Sequence, residues 1–339
     1  DMKLNNKGIR LTDSGDREKS DADVIGILMG RYKDDPAITE VLHCIREFKT
    51  RSTLKRTFCD GLVRKVDPKT EIAYTSISST TAATGRLASR RPNLQNIPTT
   101  GAYGNLIRKA FRPRSGNAIG SIDLSQIQLR VLAHDRQVRS MLRAYQGDAD
   151  IHTNTAIGIF DLRLKYPNQA DLDAFLQTQE FQHMMRKPCK NFNFSIVFDI
   201  TPQGLADDIA ADGIPGWPVE RVGQAMFKWF QEYPEVLTGA EVEYKKASKF
   251  GFVWDWFGGI RQVPEIYSVH KWIKSAGLRQ AGNHRIQAGE AGIMKLVMGE
   301  AYEIWDKFYR KWILPLVPVH DQLLFEGPRD PLTEYLYVV

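Results

Sequence analysis

The chain has 339 residues, 42% hydrophobic and 25% charged, with a formal charge of +6. This is ordinary globular composition, long enough to bury a substantial core. It excludes a membrane-spanning segment, because no apolar run is long enough, and a disulfide framework, because Cys44, Cys59 and Cys189 are odd in number and form no CxxC pair. The positive balance leans weakly towards a polyanionic partner. With no signal-peptide pattern, an intracellular location is expected, cytoplasmic or nucleoid-associated. The chain begins at Asp1, which suggests a fragment or a processed product.

Residues 1–22 are polar and turn-rich and read as a loop. From Asp23 to about Thr57 the apolar spacing is helical, carried by Val24, Ile27, Leu28, Ile38, Val41, Leu42, Ile45 and Phe48. Lys49, Arg51, Lys55 and Arg56 give its later part a basic face, solvated or phosphate-binding; charge alone does not decide. Residues 71–80 alternate as a strand does. Residues 81–98, TAATGRLASRRPNLQNIP, are a loop by composition. Yet Arg86, Arg90, Arg91, Asn93, Gln95 and Asn96 give it many planar donors, suited to phosphates and base edges.

The apolar run Ala118–Ile122 breaks at Asp123, and a helix follows with Ile127, Val131 and Leu132 on one face. A carboxylate at a strand end suits a hard cation such as Mg²⁺, or simply turns the chain into the helix. His152, beside acids, is either structural or a phosphate donor. In Glu180–Asp199, Arg186, Lys190, Phe194 and Phe198 recur every four residues on one broad helical face. Two cations followed by two rings suit a nucleoside triphosphate; the bland alternative is an amphipathic helix packing its Phe residues. Pro188 predicts that this helix starts near Met184–Met185 or kinks at the proline.

Residues 201–218 read as a loop with room for a short helix, and Val219–Phe230 and Pro234–Phe250 as helices. Gly251–Gly259 reads as a hairpin. Residues 272–308 are helical, with Arg279, Asn283, Arg285 and Gln287 read on one polar face. Trp312–Glu326 reads as two strands around a turn at His320-Asp321-Gln322, with Asp321 at an exposed tip. Asp123 and Asp321, about two hundred residues apart, are then two strand-end acids. Two carboxylates holding two Mg²⁺ ions ~3.5–4 Å apart suit phosphoryl or nucleotidyl transfer.

These segments, in this order, resemble the polymerase region of family A, DNA polymerase I-like, DNA polymerases, from about residue 40 to 328. TGRLASRRPNLQNIP is similar to the family's template–primer loop and DLSQIQLRVLAH to its first catalytic motif. RKPCKNFNFSIVFD is similar to the fingers-helix motif and VHDQ to the last catalytic motif. The resemblance implies an α+β right-hand fold with an antiparallel palm sheet, helical fingers and a partial helical thumb. It divides the chain into residues 1–70 (partial thumb and link), 71–148 (palm, first part), 149–262 (fingers) and 263–339 (palm, second part). It implies Asp123 and Asp321 as catalytic, metal-binding carboxylates, the Leu124 carbonyl as a further ligand, and two Mg²⁺ ions, with Mn²⁺ as a substitute. His152, Arg186, Lys190, Phe194, Phe198 and Gln128 would contact the incoming deoxynucleoside triphosphate. Arg86, Asn93, Gln95, Arg279, Asn283, Gln287 and His320 would contact primer–template DNA. A monomer is expected, with no membrane partner.

The chain departs from the family pattern at several positions. The family usually has Glu at Gln128, Tyr at Phe198, Glu at Gln322 and Gly at Ser195 and Asp199. The Glu–Tyr pair closes the space that a ribose 2′-hydroxyl would need, and Phe198 cannot make that bond, so altered sugar discrimination is expected. Gln322 removes a negative charge beside the metals, so activity should survive with weaker metal affinity. Much of the thumb, the C-terminal tail and any proofreading or 5′-nuclease domain are not seen in this sequence; the expectation is that they lie on a longer parent chain or that the protein lacks them. The rival readings are a two-metal nuclease, disfavoured by Arg186, Lys190 and Phe194, and a catalytically silent nucleic-acid-binding descendant of a polymerase.

Overall fold

The structure, a computed structural model, describes residues 22–339 apart from Lys33, Thr99, Thr100, Asp148 and Asp199. The loop expected at the N-terminus and the charge at Asp199 therefore lie outside the described residues. The chain divides into two compact units. One comprises residues up to Ser76 together with Ser89–Arg112; the other comprises Ile77–Ala88 and Pro113–Val339.

In the first unit, the helical run from Asp23 to Thr57 is two helices, Ala22–Arg31 and Pro36–Leu54. The break falls at Asp35-Pro36. The Asp35 carboxylate caps the second helix by accepting from Ile38 N at 3.1 Å, and proline fits the first turn, whose N–H groups have no helical partner. Val24, Ile25, Leu28 and Leu42 bury the contact between the two helices. Of the strand expected over 71–80, only Ser76–Ser78 is extended in a strand. The arginine- and amide-rich loop is braced from within. Ser89 Oγ accepts from Leu94 N at 2.9 Å, Gln95 Oε1 accepts from Ser89 N at 2.9 Å, and Asn93 Oδ1 accepts from Gln95 N at 3.0 Å.

The second unit is built on a three-stranded antiparallel sheet. Gln322–Gly327 lies in the centre, flanked by Ala118–Asp123 and by Leu314–Val319. The edge strand Leu314–Val319 carries Pro315 and Pro318, which an edge tolerates because a proline cannot donate to a ladder. Helix Arg329–Val338 packs closely on Ala118–Asp123 at Gly120, where a Cβ would displace the end of the Leu336 side chain. Leu323, Phe325, Leu332 and Tyr335 form the core here with Met294 and Ala301 of the long helix Lys271–Ile304.

A larger core gathers the helices between Ile127 and Glu232 around Leu129, Met141, Phe181, Phe192 and Trp229. A smaller one packs the hairpin of Phe252–Trp254 and Ile260–Gln262 through Val253, Val263, Ala247 and Ala281. The stretch 201–218 contains a full ten-residue helix, Pro202–Ala211, capped by Thr201 Oγ1, which accepts from Gly204 N at 3.1 Å. Thr-Pro at the cap and first turn is the sequence signal for it.

A buried ionic cluster ties the helix after Asp123 to the long helix. Asp135 accepts from Arg285 Nε and from Trp256 Nε1, both at 2.8 Å. Arg136 donates to Gly282 O at 2.9 Å and contacts Gly239 O. Arg285 therefore does not share the polar face of Arg279, Asn283 and Gln287. Two residues from Asn283, it points round the helix to Asp135, since successive helical residues turn by about 100°.

Candidate active site

Asp123 ends its strand, directly opposite Gln322 in the antiparallel register. Asp321 immediately precedes Gln322, and its carbonyl accepts from Leu124 N at 3.0 Å. Adjacent strands lie about 4.8 Å apart, so the pairing alone brings the two acids, remote in sequence, to one sheet end. The turn expected at His320-Asp321-Gln322 is a two-residue loop, His320–Asp321, because Gln322 already belongs to the central strand. His320 takes a φ of 55°, which a two-residue hairpin usually gives to Gly or Asn. It is His320 that is exposed; Asp321 is half-buried, because its backbone is tied to Leu124.

The Asp321 carboxyl is pushed up by burial and, next, by the charge of Asp123, while His320 and Arg86 pull it down. A cation bound beside Asp321 would offset both its burial and the charge of Asp123. The groups expected to hold a metal, the two carboxylates and the Leu124 carbonyl, are all oxygen donors, which suit Mg²⁺. Among the described residues no cluster of three or more His, Cys, Asp or Glu is placed to hold a metal. Gln322 Nε2 donates to Asp123 Oδ2 at 2.5 Å, so the amide that replaces an acid is bonded to one of the two carboxylates.

The helix expected from Met184–Met185 winds from Phe181. A π-helical segment, Phe181–Arg186, runs into the α-helix Lys187–Ser195. The wide turns fall just before Pro188, where the missing N–H and the ring would strain a regular ladder. The α-helix stops at Ser195, and Phe198 lies on the 3₁₀ turn Ile196–Phe198, off the four-residue rhythm of Arg186, Lys190 and Phe194.

Arg186 Nε pairs with Asp150 Oδ2 at 2.6 Å. Asp150 also caps helix Ile151–Ile159, accepting from Thr153 N and Oγ1. Burial works to raise the Asp150 carboxyl, but hydrogen bonds from Arg186 and Thr153 prevail and hold it at about 2. His152 is 3% exposed, and burial, aided by Arg186 and Lys190, lowers its pKa to about 4. Its proton can be placed by logic. Trp229 Nε1 can only donate, and it donates to Asn193 Oδ1 at 2.7 Å, which turns the Asn193 amide NH₂ towards His152 Nδ1 at 3.0 Å. Nδ1 therefore accepts, and Nε2 carries the hydrogen of a neutral imidazole. The His152 ring lies 5.5 Å from that of Phe194. Lys190 is exposed on the same helix.

Sequence reasoning missed Asp150, Asn193 and Glu290. Asp150 precedes a helix with Thr three residues on, a capping signal that is legible. Glu290, 3% exposed, contacts the Arg86 guanidinium and accepts from the Gln128 side chain. Arg279 is exposed and Asn283 and Gln287 half-buried on the long helix. Asn93 and Gln95 lie in the first unit, engaged in the loop bracing described above.

The profile of DNA polymerase family A matches residues 3–339. DNA polymerase I of Caldicellulosiruptor bescii is 34% identical over 313 residues, which cover 92% of this chain and 33% of that protein. The thermostable DNA polymerase I of Thermus thermophilus is 32% identical over 289 residues, covering 85% of this chain and 32% of that one. The chain thus spans about a third of the length of these relatives. Among solved structures, the POL domain of Pol1 from M. smegmatis, in complex with DNA primer-template and dNTP, superposes with a TM-score of 0.77 at 28% identity. That match covers 97% of this chain and 53% of that one. The α+β polymerase fold expected from the motifs is the fold found, and the chain belongs to DNA polymerase family A.

Proposed function

We propose that the chain is the polymerase part of a template-directed DNA polymerase, adding deoxynucleotides to a primer 3′-hydroxyl and releasing pyrophosphate. The observation that carries this reading is the antiparallel pairing that sets Asp123 opposite Gln322 and beside Asp321. The relative from M. smegmatis, solved with primer-template and dNTP, supports the same partners. Asp123, Asp321 and the Leu124 carbonyl would hold Mg²⁺, or Mn²⁺ in its place. Bound there, two such ions would activate the primer hydroxyl and stabilise the leaving pyrophosphate.

The protein's own groups do the rest. Arg186 and Lys190 neutralise the triphosphate, and His152, neutral with its Nε2 hydrogen outward from Asn193, donates to it without adding charge. Phe194 lies against the sugar, and Phe198 and Gln128 border it. Arg86, Asn93, Gln95, Arg279, Asn283, Gln287 and His320 hold primer and template, with the chain acting as a monomer. The same reading assigns residues 1–70 to thumb and link, 71–148 and 263–339 to palm, and 149–262 to fingers.

One observation favours the silent, nucleic-acid-binding alternative: the Gln322 amide occupies Asp123. Primer extension with Mg²⁺ and dNTPs, beside Asp321→Ala, separates the readings. Extension lost in the variant supports the polymerase, shortening of the primer supports a nuclease, and binding without either supports the silent protein.

A further inference from the structure

Glu290 sits on the buried side of the long helix, 3% exposed. Nothing in an ordinary helix face calls for a carboxylate there, since an acid is almost never fully buried unless paired. It is paired. One of its oxygens contacts the Arg86 guanidinium, whose Nε is itself buried without a hydrogen-bond partner among the described residues. The Gln128 side chain lies within reach to donate to the carboxylate, and Asp321 is near enough to act on it by charge. Arg86, Gln128, Glu290 and Asp321 all belong to the second unit.

The chemistry of the amide fixes what this does. A carboxylate can only accept, so the end of Gln128 that meets Glu290 is its NH₂, and its carbonyl oxygen is the end turned away. A guanidinium cannot lose its proton, so Arg86 needs a counter-charge wherever it is withdrawn from water. We propose that Glu290 is a positioning residue for the nucleotide site, holding the Gln128 amide in one orientation and Arg86 in place from the long helix. A second acid at position 128 would bring a like charge up to Glu290, whose paired cation is Arg86. This rests on the polymerase reading above.

The test is a charge-swap cycle of E290Q, Q128E and the double variant Q128E/E290Q, read by dNTP KM and kcat in primer extension and by melting midpoint. E290Q frees the amide and leaves Arg86 without its counter-ion, and Q128E sets two carboxylates together. Each single change should raise dNTP KM about tenfold, with kcat less affected, and should lower the melting midpoint. The double change restores one acid, one amide and one arginine, and should bring both readouts back most of the way, since contacting residues are non-additive. A double variant no better than the product of the singles overturns the inference, as does an E290Q protein with wild-type KM. A purely structural Glu290 would lower the melting midpoint and leave KM alone. Should the wild type extend no primer, the polymerase reading falls and the nucleotide role of Glu290 falls with it. The melting cycle then reports separately whether residues 128 and 290 are coupled.

Discussion

Asp123 and Gln322 face one another across two antiparallel strands, and the Gln322 amide donates to the Asp123 carboxylate. A neutral donor at that place satisfies one lone pair of the acid proposed to bind metal and adds no charge. An acid there would repel Asp123 and Asp321 in the absence of metal and attract a cation in its presence. Gln322→Glu should therefore lower the Mg²⁺ concentration giving half-maximal extension about three- to tenfold, and lower the metal-free melting midpoint. A titration of extension rate against Mg²⁺ checks the first effect, and a melt in chelator checks the second.

The buried His152 makes stability pH-dependent. Its folded pKa, about 4, lies below the ordinary 6.5. Between those values the unfolded chain binds the extra proton, so stability falls as pH falls. The sign is the same for Asp150, held at about 2 against 3.8, but its loss begins only below about pH 4. Between pH 7 and 5, His152 alone should account for a loss of about 2 kcal/mol. Urea unfolding of wild type and His152→Gln at the two pH values should show a smaller loss in the variant.

Arg186 is held by Asp150 before any nucleotide arrives. Half-exposed ion pairs are worth little in stability, so the pair acts mainly to aim the guanidinium. Asp150→Asn should raise dNTP KM several-fold while Arg186→Ala raises it about a hundredfold, both with smaller changes in stability than in KM. Steady-state kinetics with a fixed primer-template measures both.

The proposed site sets Gln128 and Phe198 beside the sugar, and Phe198 has no hydroxyl to bond there. Phe198→Tyr adds one. The variant should reject ribonucleotides about tenfold better than wild type, read as the ratio of kcat/KM for dNTP to that for rNTP. Equal ratios in the two proteins would remove the idea of relaxed sugar choice.

Much of this site is legible in the chain's own pattern. Asp123 ends an apolar run, and Asp321 lies in the turn His320-Asp321-Gln322 between apolar runs, so both strand ends can be read to within a residue, and the motif order joins them. The capped helix at Asp150 is legible too, from Thr three residues later. What local pattern does not carry is pairing across distance. Glu290 looks like one polar residue on a long helix until Arg86, some two hundred residues earlier, is set against it. Arg285 departs from its expected face for the same reason: its partner Asp135 comes from another helix. The π-helical turns at Phe181–Arg186 have no periodicity signal of their own; Pro188 hints only that something must give. The half-burial of Asp321 likewise depends on a backbone bond to Leu124.

The account turns on two acids meeting at one end of a sheet to share divalent cations. Mn²⁺ titrated into the protein with a dNTP, with free Mn²⁺ followed by its paramagnetic resonance signal, reads that directly. Wild type should take up two ions per chain, and Asp123→Asn or Asp321→Asn should lose tight uptake while keeping a wild-type melting midpoint or a higher one. Uptake unchanged by either substitution would contradict the account.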